Sequence, residues 1–530
     1  MKNKKGFFIL FSLFILIILT TIYMVKLFAT EDIVLIEIEN SVTAEAESKL
    51  LIELEGVSDT YANLLDTDLN NIDVDGMSKY KIDAYFDEEN MKIDVLQVIN
   101  YTNTEDSDLE SIQLHVFTNA FKREETSPTT LSTKSYAYPN GFSSGYTVFE
   151  TIKVNGQDVM FELLGYDETS LVITLNEALK VSEKVDIDLI YSVKIPNCRD
   201  RFGYDEQTIQ IANWYPILSV YENNAWNENP YYKIGDPFYT ETSSYELELD
   251  VPIDYIVAAT GVKEDIYIKN DNRKIYKMSS DFTRDFAIVM SKYFNVESKV
   301  VDGTRISTYT YTDDDDDEKN VALESGERTL KSFNDMFGKY PYTDVAIVET
   351  SFPSGMEYPG LVMIGNSYYG KGSEDRLEDI VNHEMGHQWW YSIVGNNQIT
   401  ESWLDEGLTS YSEILYKEYF EKDEYDFEVS EIEKTVARGN KRFDDTLVVK
   451  PLSEFENWDD YGFLTYGKSQ MFFIKYRDTY GEEKLKEALK LHFEKNKFGI
   501  ATTEGIIKTF EVISGESISD ISDEFLFQGK

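Results

Sequence analysis

The hydrophobic period changes along this chain, and that change limits the folds open to it. Near residue 80 apolar and polar side chains alternate, as at Ile82, Ala84 and Phe86, and the same period of two recurs at several later stretches. Such alternation is typical of half-buried β-strands. In the last quarter of the chain the pattern is helical instead. The sequence therefore predicts a multidomain α+β protein, with a β-rich domain at residues 78–297 and a mixed, then helical, domain at residues 298–530.

Length and charge narrow the class of protein further. A chain of 530 residues is too long for one hydrophobic core, so two or three domains are expected. It has 50 basic and 97 acidic residues, a formal net charge of −47. A surface this acidic repels phosphate backbones, so we expect no nucleic-acid partner. Solubility is the simplest explanation of the acidity, and nothing in the composition indicates an oligomeric state.

The N-terminus predicts a membrane anchor. Three lysines within the first five residues precede an apolar run from Gly6 to Val25, which is long enough to span a bilayer as a helix. The lysines favour a cytoplasmic N-terminus with the rest of the chain outside the cell. A cleaved signal peptide is the alternative, but its apolar region is usually shorter. We expect a stub and anchor at residues 1–29 and an acidic stalk at residues 30–77, with a short amphipathic helix from Leu50 to Leu64.

Histidine and cysteine are scarce, which limits the metal chemistry available. The single cysteine, Cys198, excludes an internal disulfide and a thiolate zinc cluster. Of the four histidines, two lie in the stretch "NHEMGHQWW" at residues 382–390. Because the chain has so few histidines, two of them in one short stretch favour a functional site over a chance occurrence.

The spacing in this stretch predicts a zinc site. A helix is expected to begin at Ser373, and on a helix His383 and His387 face the same way, so both imidazoles can bind one ion. Glu384 projects beside them as a general base for the attacking water. A catalytic zinc needs a third protein ligand and one open position. Glu406 is the best candidate, because it follows at a distance that lets a second helix return alongside the first.

The motifs "GMEYPG", "HEMGHQWWYSIVGNNQ", "WLDEG" and "TYGKS" occur in this order between Ser354 and Lys468. With these spacings the chain resembles the membrane alanyl aminopeptidase family of zinc metallopeptidases, the gluzincins with an HExxH–Glu pattern. The β-rich region looks like the family's saddle-shaped N-terminal domain. The resemblance implies a thermolysin-like catalytic domain that binds one Zn²⁺ and removes N-terminal residues from peptides.

The resemblance also implies roles for single residues. It carries over His383, His387 and Glu406 as zinc ligands and Glu384 as the general base. These are the residues to which the spacing alone points.

Further roles come from the resemblance alone. Gly355, Met356 and Glu357 match the family's exopeptidase motif, in which the glutamate holds the free amine of the substrate. Tyr466 matches the tyrosine that stabilises the oxyanion, and a phenol hydroxyl is a suitable donor for that purpose.

The chain departs from the family pattern at several points. Tyr358 stands where the family has asparagine, and Asp405 where asparagine is commoner. Gln207 and Gln210 are alternative matches to a family substrate-binding position, and the sequence does not choose between them. The sequence stops at Lys530, so the large C-terminal helical domain of many members is expected to be absent.

Together these patterns predict a membrane-anchored, outward-facing zinc aminopeptidase acting on peptides with a free N-terminus. A zinc endopeptidase with the same ligands is the first alternative. A catalytically inactive peptide-binding relative is the second.

Overall fold

The computed structural model describes residues 47, 54–70, 72–311 and 316–528. The apolar run near the N-terminus lies outside them. No helix in this described portion is both long and apolar enough to cross a membrane. The membrane anchor therefore stays a prediction.

The N-terminal part is built from β-strands. In chain order they are β1 Lys79–Asp87, β2 Lys92–Thr102, β3 Leu109–His115, β4 Tyr146–Val154, β5 Gln157–Asp158, β6 Met160–Leu164, β7 Ser170–Leu179, β8 Lys184–Lys194, β9 Phe202–Tyr204, β10 Ile209–Ile211, β11 Ile217–Leu218, β12 Tyr221–Glu222, β13 Ala225–Trp226, β14 Ser243–Pro252, β15 Ile256–Ala259, β16 Val262–Asn270, β17 Arg273–Thr283 and β18 Ile288–Ser291.

These strands form one large sheet, two four-stranded sheets and the two-stranded pair β12-β13. The large sheet has the order β16-β17-β14-β1-β2-β8-β4-β5, and the two four-stranded sheets have the orders β15-β18-β10-β9 and β11-β3-β7-β6. On β1 the side chains of Ile82, Ala84 and Phe86 are buried, while the residues between them are partly exposed. The alternation in the sequence therefore marks the face that packs against the core, which confirms the prediction of a β-rich N-terminal domain.

A five-stranded sheet begins the C-terminal part. Its strands are β19 Phe294–Val301, β20 Thr304–Tyr311, β21 Asp344–Thr350, β22 Gly355–Tyr358 and β23 Leu361–Gly365. The order is β19-β20-β21-β23-β22, with β20, β21 and β23 parallel and β22 antiparallel at the edge.

One loop prediction in this sheet is wrong. The sequence indicates a loop throughout 351–360, whereas Gly355–Tyr358 pairs with β23 as an edge strand. A run of only four residues between proline and glycine has no periodicity of its own. Its strand conformation comes from hydrogen bonds to a neighbour.

Helices follow and surround the site. They are α1 Lys134–Ala137, α2 Asp316–Met336, α3 Glu374–Gly386, α4 Trp403–Phe420, α5 Glu424–Arg442, α6 Trp458–Tyr461, α7 Gln470–Tyr480, α8 Glu482–Asn496, α9 Thr503–Ser514 and α10 Ser519–Ser522. A π-helical segment, Gly462–Lys468, links α6 to α7, and a short parallel pair joins β24 Gly395–Asn396 to β25 Ile500–Ala501.

The structure contradicts the helix predicted from Leu50 to Leu64 but does not test the predicted stalk or domain boundary. The amphipathic helix expected from Leu50 to Leu64 is wrong where the chain is described, because residues 54–64 form turns and isolated bridges. Leu64 is fully buried against the C-terminal part. The stalk and the boundary at 297/298 stay predictions, and β19 crosses that boundary.

Candidate active site

Two neighbouring helices carry the predicted ligands. Helix α3 begins after Ser373, as predicted, although the hydroxyl of that residue makes no capping hydrogen bond. His383 and His387 lie at its C-terminal end, and Glu406 lies in the first turn of α4. The chain between the helices reverses direction, so the second helix packs beside the first.

The three ligand atoms are spaced as a zinc ion requires. The Nε2 atom of His387 lies 3.2 Å from that of His383 and 3.1 Å from Oε2 of Glu406, and His383 Nε2 lies 3.5 Å from the same oxygen. Tetrahedral zinc with bonds of about 2.0–2.1 Å holds its donors about 3.3–3.4 Å apart. Oε2 of Glu406 is buried and accepts no hydrogen bond from any residue that the structure describes. Both observations fit a metal ion at this point.

The second nitrogen of each imidazole is held in place. Nδ1 of His383 lies 2.6 Å from Oε1 of Glu413, and Nδ1 of His387 lies 3.1 Å from the backbone oxygen of Trp390 and 3.2 Å from the hydroxyl of Thr409. Such contacts fix the ring orientation and direct Nε2 toward the ion. Sequence analysis missed Glu413, although its position two turns after Glu406 on the same helix face was a usable signal.

Glu384 faces the backbone of the edge strand. Its carboxylate is 4% exposed, and a Cβ atom added to Gly355 would lie 1.9 Å from its Oε1. A side chain at residue 355 would therefore displace the carboxylate of Glu384. Burial raises the pKa of Glu384 to about 7, against the opposing effect of His383 and His387. A carboxylate tuned near neutral pH suits general-base catalysis.

Strand β22 presents Glu357 and Met356 to the cleft. Glu357 is 4% exposed and lies in one cluster with Glu384 and His387. Within the described part of the chain, its Oε1 has no hydrogen-bond donor. Burial raises its pKa well above the usual range, although His387 opposes that effect. The sulfur of Met356 accepts a hydrogen bond of 2.9 Å from Nε of Arg201.

Tyr358, the departure from the family motif, points away from the cleft. It is fully buried, and its hydroxyl donates to Oδ1 of Asn213 at 2.7 Å. Tyr358 is therefore not among the residues that line the cleft, unlike Gly355, Met356 and Glu357 before it.

Tyr466 lies beside the ligand set. It belongs to the π-helical segment Gly462–Lys468, its ring stacks near that of His383, and its hydroxyl donates to Oε1 of Glu406. A phenol donor thus stands within reach of the position where a carbonyl oxygen would bind.

The other uncertain positions have structural roles. Asp405 is buried, accepts a hydrogen bond of 2.6 Å from Gln398 and caps the backbone N–H of Glu406 at 2.9 Å, so it supports the start of α4. Neither Gln207 nor Gln210 lines the cleft. Gln210 is fully buried beside Ser351.

These residues line a cleft of about 620 Å³ between the two parts of the chain. The β-rich part contributes an ion pair that the sequence did not indicate, between Arg201 and Asp236. The guanidinium of Arg201 also lies over the rings of Phe238 and Phe352, at 5.6 and 5.3 Å from their centres. No sequence signal marks this pair, because its members lie 35 residues apart in irregular segments.

Comparison with known proteins agrees with this arrangement. Residues 321–525 match the model of the peptidase family M1 domain. Aminopeptidase N of Lactobacillus helveticus is 21% identical over 447 residues, which is 79% of this chain and 50% of that protein. The chain thus spans about half the length of this relative.

Solved structures share the fold. A mutant of the M1 zinc metallopeptidase of Deinococcus radiodurans superposes with a TM-score of 0.61 at 13% identity, covering 85% of this chain and 94% of that chain. A mutant of the same protein bound to a Tyr-Ser-Ala substrate gives a TM-score of 0.58 at 13% identity and the same coverage. Residues 321–525 of the chain therefore match the peptidase family M1 domain, and most of the chain has a fold shared with solved M1 zinc metallopeptidases.

Proposed function

We propose that this chain is a zinc aminopeptidase that hydrolyses the first peptide bond of peptides with a free N-terminus. The proposal rests on Glu357, a buried carboxylate within a few ångströms of the predicted base Glu384 and the predicted ligand His387. Among the described residues, no donor reaches its Oε1. The tripeptide substrate named for the Deinococcus protein supports the substrate class.

The α-amino group of a peptide substrate supplies the hydrogen-bond donor that Oε1 of Glu357 lacks among the described residues. The α-amino group is cationic near neutral pH, since its unperturbed pKa is about 7.7–8.0. Placing that cation beside a metal ion costs free energy unless a fixed anion compensates. The cation beside Glu357 favours the charged form of its carboxyl group and so offsets the burial that raises its pKa. Glu357 thereby supplies the anion and sets the register, so only the first peptide bond reaches the ligand set. An endopeptidase has no use for such a buried, unpaired carboxylate.

The residues of the cleft divide the chemical work. His383, His387 and Glu406 would hold the zinc ion, which would act as a Lewis acid and lower the pKa of the attacking water. Glu384 accepts the proton of that water and returns it to the leaving amine. The hydroxyl of Tyr466 donates to the oxygen on which negative charge develops.

Blocked and free peptides test the proposal. Wild-type protein is expected to cleave free peptides far faster than their N-acetylated forms, because acetylation removes the charge that Glu357 binds. Glu357→Ala is expected to lose activity on free peptides and to narrow that difference. Rates are measured by chromatography of the released amino acid.

Glu150→Ala is a matched control, because Glu150 is an exposed glutamate on β4, outside the cleft. Its ratio of free to acetylated cleavage should equal that of the wild type. Equal cleavage of acetylated peptides at internal bonds by the wild type would show an endopeptidase. Absence of any hydrolysis by the zinc-loaded protein would favour the inactive peptide-binding alternative.

We also propose that residues 6–25 anchor the protein in the cell membrane, with the N-terminus in the cytoplasm and the catalytic part outside. The apolar length and the preceding lysines support this topology. Protease added to intact cells should release the catalytic part. A soluble cytoplasmic protein, or a secreted one with a new N-terminus near Ala29, would contradict the anchor.

A further inference from the structure

The cleft carries a positive group that the proposed chemistry does not use. Among the described residues, seven carboxylates line it: Asp200, Asp236, Glu357, Asp379, Glu384, Glu406 and Glu413. Three arginines also line it, namely Arg199, Arg201 and Arg376. In an acidic cleft of an acidic protein, an arginine without a carboxylate partner needs an explanation.

Two of the three arginines are already paired. Arg201 forms the buried ion pair with Asp236. Arg199 lies 3.5 Å from a carboxylate oxygen of Asp205. Arg376 differs, since in the described part of the chain its guanidinium has no carboxylate partner. Its contact is with the ring of Tyr368, whose centre lies 5.1 Å away.

That contact does not use the N–H donors of the guanidinium. An arginine stacked on an aromatic face keeps its N–H groups free at the edge of the plane. The planar fork of these groups matches a carboxylate, which accepts two parallel hydrogen bonds from it. Arg376 is also exposed, so a ligand in the cleft can reach it.

Arg376 lies on the same face of α3 as His383, one of the predicted zinc ligands. It lies seven residues before His383 on α3, which returns it to the same helix face and places it about 10.5 Å along the axis. Ile380 lies between them on the same face and also lines the cleft. One wall of the cleft therefore runs from the metal ligands to Arg376.

A short peptide spans this distance. An extended chain advances about 3.3–3.6 Å per residue. With the first carbonyl at the ligand set, the C-terminal carboxylate of a tripeptide lies about 7 Å away and that of a tetrapeptide about 10 Å away. The C-terminal carboxylate of a dipeptide is too close to the ligand set to reach Arg376. In a long peptide the C-terminal carboxylate lies beyond Arg376.

We propose that Arg376 binds the C-terminal carboxylate of the substrate, and that the preferred substrates are peptides of three or four residues with both termini free. This inference rests on the proposed aminopeptidase function. It adds a second end-recognition site to that of Glu357 and selects substrates by length.

The test compares free-acid and C-terminally amidated forms of the tripeptide Leu-Ala-Ala, with zinc-loaded enzyme. Wild type should favour the acid by at least about tenfold in kcat/KM, chiefly through KM, because a charge-assisted pair is lost with the amide. In Arg376→Ala the ratio should fall to about one or below, and in Arg376→Lys it should be intermediate. Across free acids of two to six residues, wild type should favour lengths three and four.

Arg328→Ala is the matched control. Arg328 is likewise stacked on an aromatic ring, that of Phe420 at 4.3 Å, but it lies outside the cleft. Its ratio should equal that of the wild type. A wild-type ratio near one, or a wild-type preference that persists in Arg376→Ala, would overturn the inference.

Binding separates this inference from the proposed function. Calorimetry with zinc-loaded Glu384→Gln measures affinity for both tripeptides without turnover. A preference for the acid that disappears on adding Arg376→Ala supports the carboxylate site even if the wild type hydrolyses nothing, in which case only the aminopeptidase proposal fails. Equal affinity for acid and amide overturns the carboxylate site, whatever the activity.

Discussion

A single buried carboxylate, Glu384, shows how position determines chemistry in this cleft. A glutamate in water has a pKa of about 4.3 and is a weak base. Burial in the cleft raises the pKa of Glu384 to about 7, although His383 and His387 oppose that effect. The same side chain on the protein surface could not accept a proton near neutral pH as effectively.

Glu384→Gln keeps the shape of this side chain and removes its proton acceptor. We expect turnover of an aminoacyl anilide to fall by about 10²–10⁴-fold, since positioned general bases contribute that much. Zinc should stay bound at one ion per chain, measured by elemental analysis. Glu374→Gln, at an exposed position on the same helix, should retain wild-type turnover. Near-normal activity of Glu384→Gln would remove this residue from the mechanism.

At the level of elements, α4 both completes and stabilises the ligand set. Glu406, Thr409 and Glu413 lie at intervals of three and four residues, so all three face α3. Glu406 supplies a ligand atom, and the other two contact the second nitrogens of the histidines. The pair of helices therefore carries the ligands and the contacts that orient two of them.

Glu413→Gln tests this arrangement. The neutral amide cannot match the carboxylate as an acceptor for Nδ1 of His383, so zinc affinity should fall by about 10–100-fold. Competition with a chromogenic chelator measures the dissociation constant. Glu431→Gln, on the exposed face of α5, should bind zinc as the wild type does. Unchanged affinity in Glu413→Gln would mean that its contact with His383 is dispensable.

At the level of the whole molecule, the β-rich part is bound tightly to the C-terminal part. Arg284 is buried, and its guanidinium donates to the backbone oxygens of Tyr391 at 2.9 Å and Thr240 at 3.0 Å. Gly395 approaches so closely that an added Cβ would lie 2.2 Å from Cζ of Arg284. The cleft between the two parts therefore has walls that are fixed relative to each other.

Acid should weaken the β-rich part through His115. Burial lowers the pKa of this histidine to about 4, below its unfolded value of about 6.5. Between these values the unfolded chain binds more protons than the folded one, so the stability due to the neutral ring is lost as the pH falls. From pH 7.5 to pH 4 the loss is about 3 kcal/mol.

His115→Leu removes this titration. The difference in unfolding free energy between wild type and variant, from urea titrations at several pH values, should shift by about 3 kcal/mol in favour of the variant between pH 7.5 and pH 4. His115 packs on Phe117, with ring centres 4.9 Å apart, so the substitution also changes the packing. The free-energy difference at pH 7.5 measures this packing effect and is subtracted from the differences at lower pH. A free-energy difference that stays constant across this pH range would show that folding leaves the pKa of His115 unchanged.

The sequence by itself determined what depends on local spacing. The period of two marks the strands, because successive side chains of a strand face opposite sides. The spacing of His383 and His387 brings their imidazoles together on any helix, and the distance to Glu406 allows a second helix to return. The short, mostly apolar runs at Asp344–Thr350 and Leu361–Gly365 are typical of buried strands, and both are strands in the structure.

Only the tertiary structure decided what depends on distant segments. Strand β22 exists because β23 pairs with it, and this pairing turns Glu357 into the cleft and Tyr358 into the core. Arg201 and Asp236 meet although irregular chain separates them. Arg376 is distinctive because a partner is absent among the described residues, and a sequence cannot show which charges remain unpaired. Packing determines these contacts, whereas local periodicity determines the elements that make them.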